Sequence, residues 1–172
     1  MKIFVTGGTG FVGTHFLTQV LAQGHDVIAL RRAGSQTRLP LEIEPTWVDG
    51  ELDSDLRTVL AGCDVLVHLA SHTPNPPYAL LDECIYWNVY ASIKLARQAL
   101  DAGVKKFLIA GTCFEYGQVA EDIEYIDANT PLAPSLSYPI SKAAASVAFE
   151  GFAREYQSRV KILRIFQVFG EG

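Results

Sequence analysis

Tyr138 and Lys142 are the residues of this chain best placed by type and spacing to move a proton. A tyrosine ordinarily loses its proton near pH 10. To act near neutrality it needs a neighbouring cation and hydrogen bonds to the phenolate. Four residues apart on a helix, Tyr138 and Lys142 share one face. Lys142 can then stabilise the phenolate and reach a cofactor ribose. Thr112, at the end of an apolar strand well upstream, can hydrogen-bond a substrate oxygen. A second Tyr-x-x-x-Lys, Tyr90 to Lys94, lies within a long helical stretch before the Thr112 strand, and so cannot occupy the slot after it. With seven tyrosines in the chain one such coincidence is unsurprising, and we read it as a surface or packing pair.

A redox step needs a carrier as well as a proton donor. Gly7, Gly10 and Gly13 lie between an opening apolar strand and an amphipathic helix, in the run Thr6-Gly7-Gly8-Thr9-Gly10-Phe11-Val12-Gly13. Such a turn brings a dinucleotide pyrophosphate against the free N–H groups of the helix start. The spacing is Gly-x-x-Gly-x-x-Gly rather than the commoner Gly-x-Gly-x-x-Gly, so position in the chain carries the reading. Just after the second strand, where an acid would bind a ribose 2′-hydroxyl, stand Arg31 and Arg32. Guanidinium groups suit a 2′-phosphate, which predicts NADP as the preferred cofactor, with NAD possible.

The elements that must position these groups alternate. Apolar runs predict strands over 3–6, 26–30, 44–48, 64–69, 106–110 and 160–165. Helical patterns fill 11–23, 54–61, 80–102 and 137–156, and Gly24, Gly62 and Gly103 follow three of them at the usual stop position. Continuous apolar strands separated by helices predict an α/β, doubly wound parallel sheet.

Bulk properties narrow the class. The 172 residues fit one domain, and half of them are hydrophobic. A net charge of −5 weighs against a nucleic-acid partner. Cys63, Cys84 and Cys113 lack metal spacing and read as reduced thiols of a cytoplasmic protein. No apolar run approaches a membrane span. His68 and His72 are four apart, but His68 sits in a strand and no Cys, Asp or Glu cluster completes a metal site.

The motifs taken together resemble the extended short-chain dehydrogenase/reductases, above all their nucleotide-sugar epimerase/dehydratase branch. Thr6–Gly13 resembles that family's T-G-G-x-G-x-x-G turn, and Asp49 its adenine-contacting acid, with Gly50 in place of the usual apolar neighbour. His68-Leu69-Ala70-Ser71 is similar to the H-L-A-A strand end, which places Leu69, Ala70 and Ser71 beside the nicotinamide ribose. Asn88-Val89 matches the N-V helix, whose Asn supports a catalytic water. Thr112 through Gly117 resembles S/T-x-x-V-Y-G, and Tyr138 through Lys142 the catalytic pair. Leu163 through Gly170 resembles L-R-x-F-N-V-Y-G, with Gln167 where Asn is usual, and places Phe166 at the cofactor.

The resemblance implies a Rossmann-type NAD(P)-binding domain over 1–172, truncated before a C-terminal substrate domain. It also implies a nucleotide-sugar substrate and a homodimer formed by pairing the 80–102 helix with the catalytic helix. Sugar 4,6-dehydratases of the family carry Asp-Glu directly after the catalytic Thr; Cys113 and Phe114 stand there instead. That departure disfavours a dehydratase and leaves a 4-epimerase or a 4-ketosugar reductase. A non-catalytic NADP-binding or redox-sensing module, and a reductase of non-sugar ketones, remain open beside them.

Overall fold

The computed structural model describes all 172 residues. Six strands form one parallel sheet in the order β3-β2-β1-β4-β5-β6. They are β1 Lys2–Thr6, β2 Asp26–Arg31, β3 Thr46–Asp49, β4 Val65–His68, β5 Lys106–Thr112 and β6 Arg159–Ile165. All six were legible as apolar runs, because β1, β2 and β4 are covered on both faces. Successive side chains point to opposite faces, so Phe4 and Val5 enter different cores.

On one face Phe4, Leu66 and Phe107 pack under Leu60 of α2 (Arg57–Leu60), Leu95 of α4 (Ser92–Asp101) and Phe149 of α5 (Ser137–Glu155). On the other, Val5, Val27 and Val67 pack under Leu17 and Val20 of α1 (Phe11–Ala22). The sheet is therefore doubly wound. Strand order reverses between β1 and β4, and their C-terminal ends open the crevice where such sheets bind ligands.

Two helical expectations change. The 54–61 stretch forms only the single turn of α2. The 80–102 stretch is three pieces: α3 (Leu81–Ile85), a π-helical segment (Tyr86–Ala91) and α4. The widened turn has a local partner, since Ser92 donates its hydroxyl to the Trp87 carbonyl at 3.0 Å. β3 begins at Thr46 rather than at 44, because Pro45 has no N–H for the sheet.

No helix is long and apolar enough to cross a membrane, and all three cysteines are unpaired.

Candidate active site

The glycine turn sits at the end of the central strand. Gly7 has φ +74°, and a Cβ there would lie 2.5 Å from the Ala70 nitrogen, so the β1 turn and the β4 end touch backbone to backbone. A Cβ at Gly13 would overlap the Gly7 carbonyl oxygen, which is how closely α1 packs on the turn. Gly10 is the N-cap of α1 and offers no side-chain cap, and no acidic residue stands in the first turn. The N–H groups that follow, on Phe11, Val12 and Gly13, open the helix and are free of intrahelical partners, so an anion such as a pyrophosphate could accept from them. Phe11 flanks the turn with its ring against His15, centroids 5.1 Å apart.

At the far end of the crevice, β2 and β3 place Arg31 directly beside Asp49. Arg31 Nε donates to Asp49 Oδ1 at 2.8 Å, and its guanidinium lies 4.9 Å from the Trp47 ring centroid. Gly50 N–H donates to the Arg31 carbonyl at 2.9 Å and closes the strand end. Arg32 is exposed and makes no ion pair.

The end of β4 is wired to its neighbours. Ala70 N–H donates to Thr6 Oγ1 (3.3 Å), and Thr6 Oγ1 lies 2.7 Å from His68 Nδ1. His68 Nε2 lies 2.9 Å from Ser92 Oγ, whose own proton goes to the Trp87 carbonyl. This direction of donation puts a proton on His68 Nε2. Burial, helped by the Lys142 charge, lowers its pKa to about 3. Leu69 packs toward the α1 core, whereas the Ser71 hydroxyl is buried beside the Tyr138 phenol without a well-formed hydrogen bond.

The Tyr138 phenol meets the Thr112 and Ser71 hydroxyls, and Lys142 lies one turn further along α5. Thr112, Tyr138 and Lys142 are all buried. Burial pushes the Tyr138 phenol above its ordinary pKa, while the adjacent Ser71 and Thr112 hydroxyls pull it back down. The Tyr138 ring rests on Tyr78, with centroids 5.4 Å apart. Lys142 Nζ donates to the Ala110 carbonyl at 2.7 Å, and burial lowers its pKa to about 8 against the opposing pull of Glu115.

Asn88 belongs to the π-helical segment and is fully engaged. Its Oδ1 accepts His72 N–H at 2.8 Å and its Nδ2 donates to Ser141 Oγ at 2.9 Å. Asn88 thus ties the loop after β4 to α5. Phe166, just past β6, is half exposed and lies against Tyr116, centroids 6.4 Å apart. The second Tyr-Lys pair is a surface feature: Tyr90 is exposed, and Lys94 donates to the Asp53 carbonyl at 2.6 Å.

These residues suit a dinucleotide. An uncapped helix start and a glycine-rich turn lie at the C-terminal end of β1, and the buried Ser71 hydroxyl follows the end of the adjacent β4, beside Tyr138. The model of the NAD dependent epimerase/dehydratase family matches residues 3–172. The chain belongs to that family.

Among members of the family, the chain is 26% identical to the UDP-glucose 4-epimerase of Corynebacterium glutamicum, over 99% of this chain and 52% of that protein. It is 27% identical to the dTDP-D-glucose 4,6-dehydratase of Mus musculus, over 98% and 51%. The solved structure of TunA, an NAD-dependent NDP-hexosamine 5,6-dehydratase, superposes with TM-score 0.88 at 27% identity, over 98% and 55%. The chain spans about half the length of the curated relatives it matches.

Three residues that matter to the geometry carry no separate signal in the sequence. Glu115 was legible only as part of the Thr112–Gly117 segment, Ser141 only as a residue between Tyr138 and Lys142, and Tyr78 not at all. In the folded family domain each touches a group of the site.

Proposed function

We propose that the whole protein oxidises or reduces the C4 carbon of a nucleotide sugar, as a 4-epimerase or a 4-ketosugar reductase. Residues 1–172 are then its cofactor-binding and proton-transferring half, and the sugar-binding residues lie in a further domain. The observation that supports this reading is the buried Tyr138 phenol beside Thr112, with buried Lys142 one turn along the same helix, at the C-terminal edge of the sheet that carries the glycine turn.

A bound nicotinamide dinucleotide supplies the hydride acceptor and donor. The chain supplies the rest. The first turn of α1, from Gly10 to Gly13, holds the pyrophosphate, and Leu69, Ala70, Ser71 and Phe166 line the nicotinamide end. Tyr138 gives its phenolic proton to the substrate oxygen or takes it back. Thr112 orients that oxygen. Lys142, as a cation, lowers the barrier to forming the Tyr138 phenolate and binds the cofactor ribose. Asn88 keeps the helix of Tyr138 in register with the loop after β4 and relays protons through water.

The sugar 4,6-dehydratases that this chain resembles carry an acid and a base directly after the position of Thr112. Cys113 and Phe114 stand there; burial raises the Cys113 thiol, and Phe114 has no proton to give. Relatives of both kinds match the chain, so this position is what favours an epimerase or reductase.

Within this NAD-dependent family, NADP preference rests on Arg31 and Arg32 and on the absence of an acid at the end of β2. Leu81, Tyr86, Tyr90 and Val147 expose apolar surface on the packed helices α3 to α5, which supports a homodimer through that face. Three unpaired cysteines favour the cytoplasm.

The test is turnover by the full protein of a panel of 4-keto and 4-hydroxy nucleotide sugars, alongside mass spectrometry of co-purified small molecules. Tight NADP(H) binding with no turnover of any panel member would instead favour a cofactor-binding module.

A further inference from the structure

Glu115 is 0% exposed, directly after the strand that ends in Thr112. Each of its carboxylate oxygens is spoken for. Oε1 accepts the Thr112 main-chain N–H at 2.8 Å. Oε2 accepts the Ser146 hydroxyl of α5 at 2.7 Å and Arg164 Nε of β6 at 2.9 Å. Arg164 is held in turn, donating Nη1 to the Ala128 carbonyl at 3.2 Å. Space for the carboxylate comes from Gly111, where a Cβ would lie 2.6 Å from Oε1.

A buried carboxylate persists as an anion only when a cation and enough donors compensate it, and Glu115 has both. Its three partners lie on three elements. Two of those elements carry the proton-transfer residues, and Ser146 lies one helical turn beyond Lys142 on the same face of α5.

We propose that Glu115 is the positioning residue of the proton-transfer site: one buried carboxylate that sets the spacing between Thr112 and the helix of Tyr138 and Lys142, and keeps Lys142 charged. His68 on β4, which feels the Lys142 charge, is a neutral ring, and the Lys142 ammonium donates to the Ala110 carbonyl of β5. Glu115 is the anion whose charge acts on that ammonium, through space and not through a direct ion pair. Its pull on Lys142 opposes the desolvation that lowers that pKa to about 8. The proposal rests on the functional reading only in taking Thr112, Tyr138 and Lys142 as one site.

The experiment is an NMR titration of Lys142 in the full protein labelled with ¹³C-lysine, the resonance being assigned by Lys142→Arg. In Glu115→Gln the Lys142 midpoint is expected to fall by about one pH unit, and in Glu115→Asp, which keeps the charge, to stay within about 0.3 of wild type. An unchanged midpoint in Glu115→Gln, even with a lower melting temperature, makes Glu115 a structural residue only and overturns the proposal. Should Glu115→Gln fail to fold, Ser146→Ala cuts one tie and leaves the charge. It is expected to speed hydrogen exchange of the Thr112 amide severalfold, and wild-type exchange there overturns the clamp. Neither measurement needs substrate, so a protein that turns over no nucleotide sugar sinks the proposed function without touching this result.

Discussion

Arg31 Nε donates to Asp49 Oδ1 at 2.8 Å, so two residues legible in sequence as separate cofactor ligands are partners of each other. The pair is partly exposed, and such pairs contribute at most about 1 kcal/mol. A 2′-phosphate dianion can therefore compete for Arg31, whereas Arg32 is already free to meet it. Replacing Arg32 with Ala is expected to weaken NADPH binding about tenfold and to leave NADH binding within about twofold. Fluorescence titration of both cofactors checks this. Equal or tighter NADH binding by the wild-type protein removes the NADP preference.

Tyr138→Phe keeps the ring that stacks on Tyr78 and loses only the hydroxyl. Turnover by the full protein is expected to fall by about a hundredfold or more, with cofactor affinity largely kept. Activity retained in a competent full-length enzyme would remove Tyr138 from the proton-transfer role.

His68 predicts acid sensitivity. Its folded pKa, about 3, lies below the ordinary value of 6.5, because burial disfavours the charged ring. Between those values the unfolded chain takes up a proton that the folded chain refuses. Stability is therefore lost as pH falls from 6.5 toward 3, with a limiting slope of about 1.4 kcal/mol per pH unit. Urea unfolding across that range measures the slope, and His68→Gln should flatten it. A slope identical in the two proteins would contradict the buried neutral histidine.

Asn88→Ala leaves His72 N–H and Ser141 Oγ without their partner. The expected loss is about 1–3 kcal/mol, read as a lower urea midpoint. Faster hydrogen exchange should follow at the His72 amide. A midpoint and exchange rate equal to wild type would show that the bridge between the β4 loop and α5 carries no weight.

Much of the fold was legible because its signals are local. Six apolar runs gave six strands, and glycines after helical stretches marked three of the stops. The 80–102 stretch misled because apolar spacing does not distinguish an α-turn from a π-turn. What widens the helix there is the Ser92 hydroxyl, held between His68 and the Trp87 carbonyl. Asn88 read as support for a catalytic water; in the fold its amide also bridges two elements, a role set by residues 16 and 53 positions away.

Sequence by itself determined the glycine turn, the parallel strands, the order of Thr112, Tyr138 and Lys142, and the loss of an acid–base pair at Cys113 and Phe114. Each depends on residue type and short spacing, which survive without coordinates. Only the tertiary structure decided that Arg31 is bound to Asp49, that His68 is neutral, and that Glu115 joins β5, α5 and β6. Apart from the local Glu115–Thr112 bond, those facts come from contacts between residues 18 to 62 positions apart. A charge's partner and its burial are properties of that packing, and no local pattern encodes them.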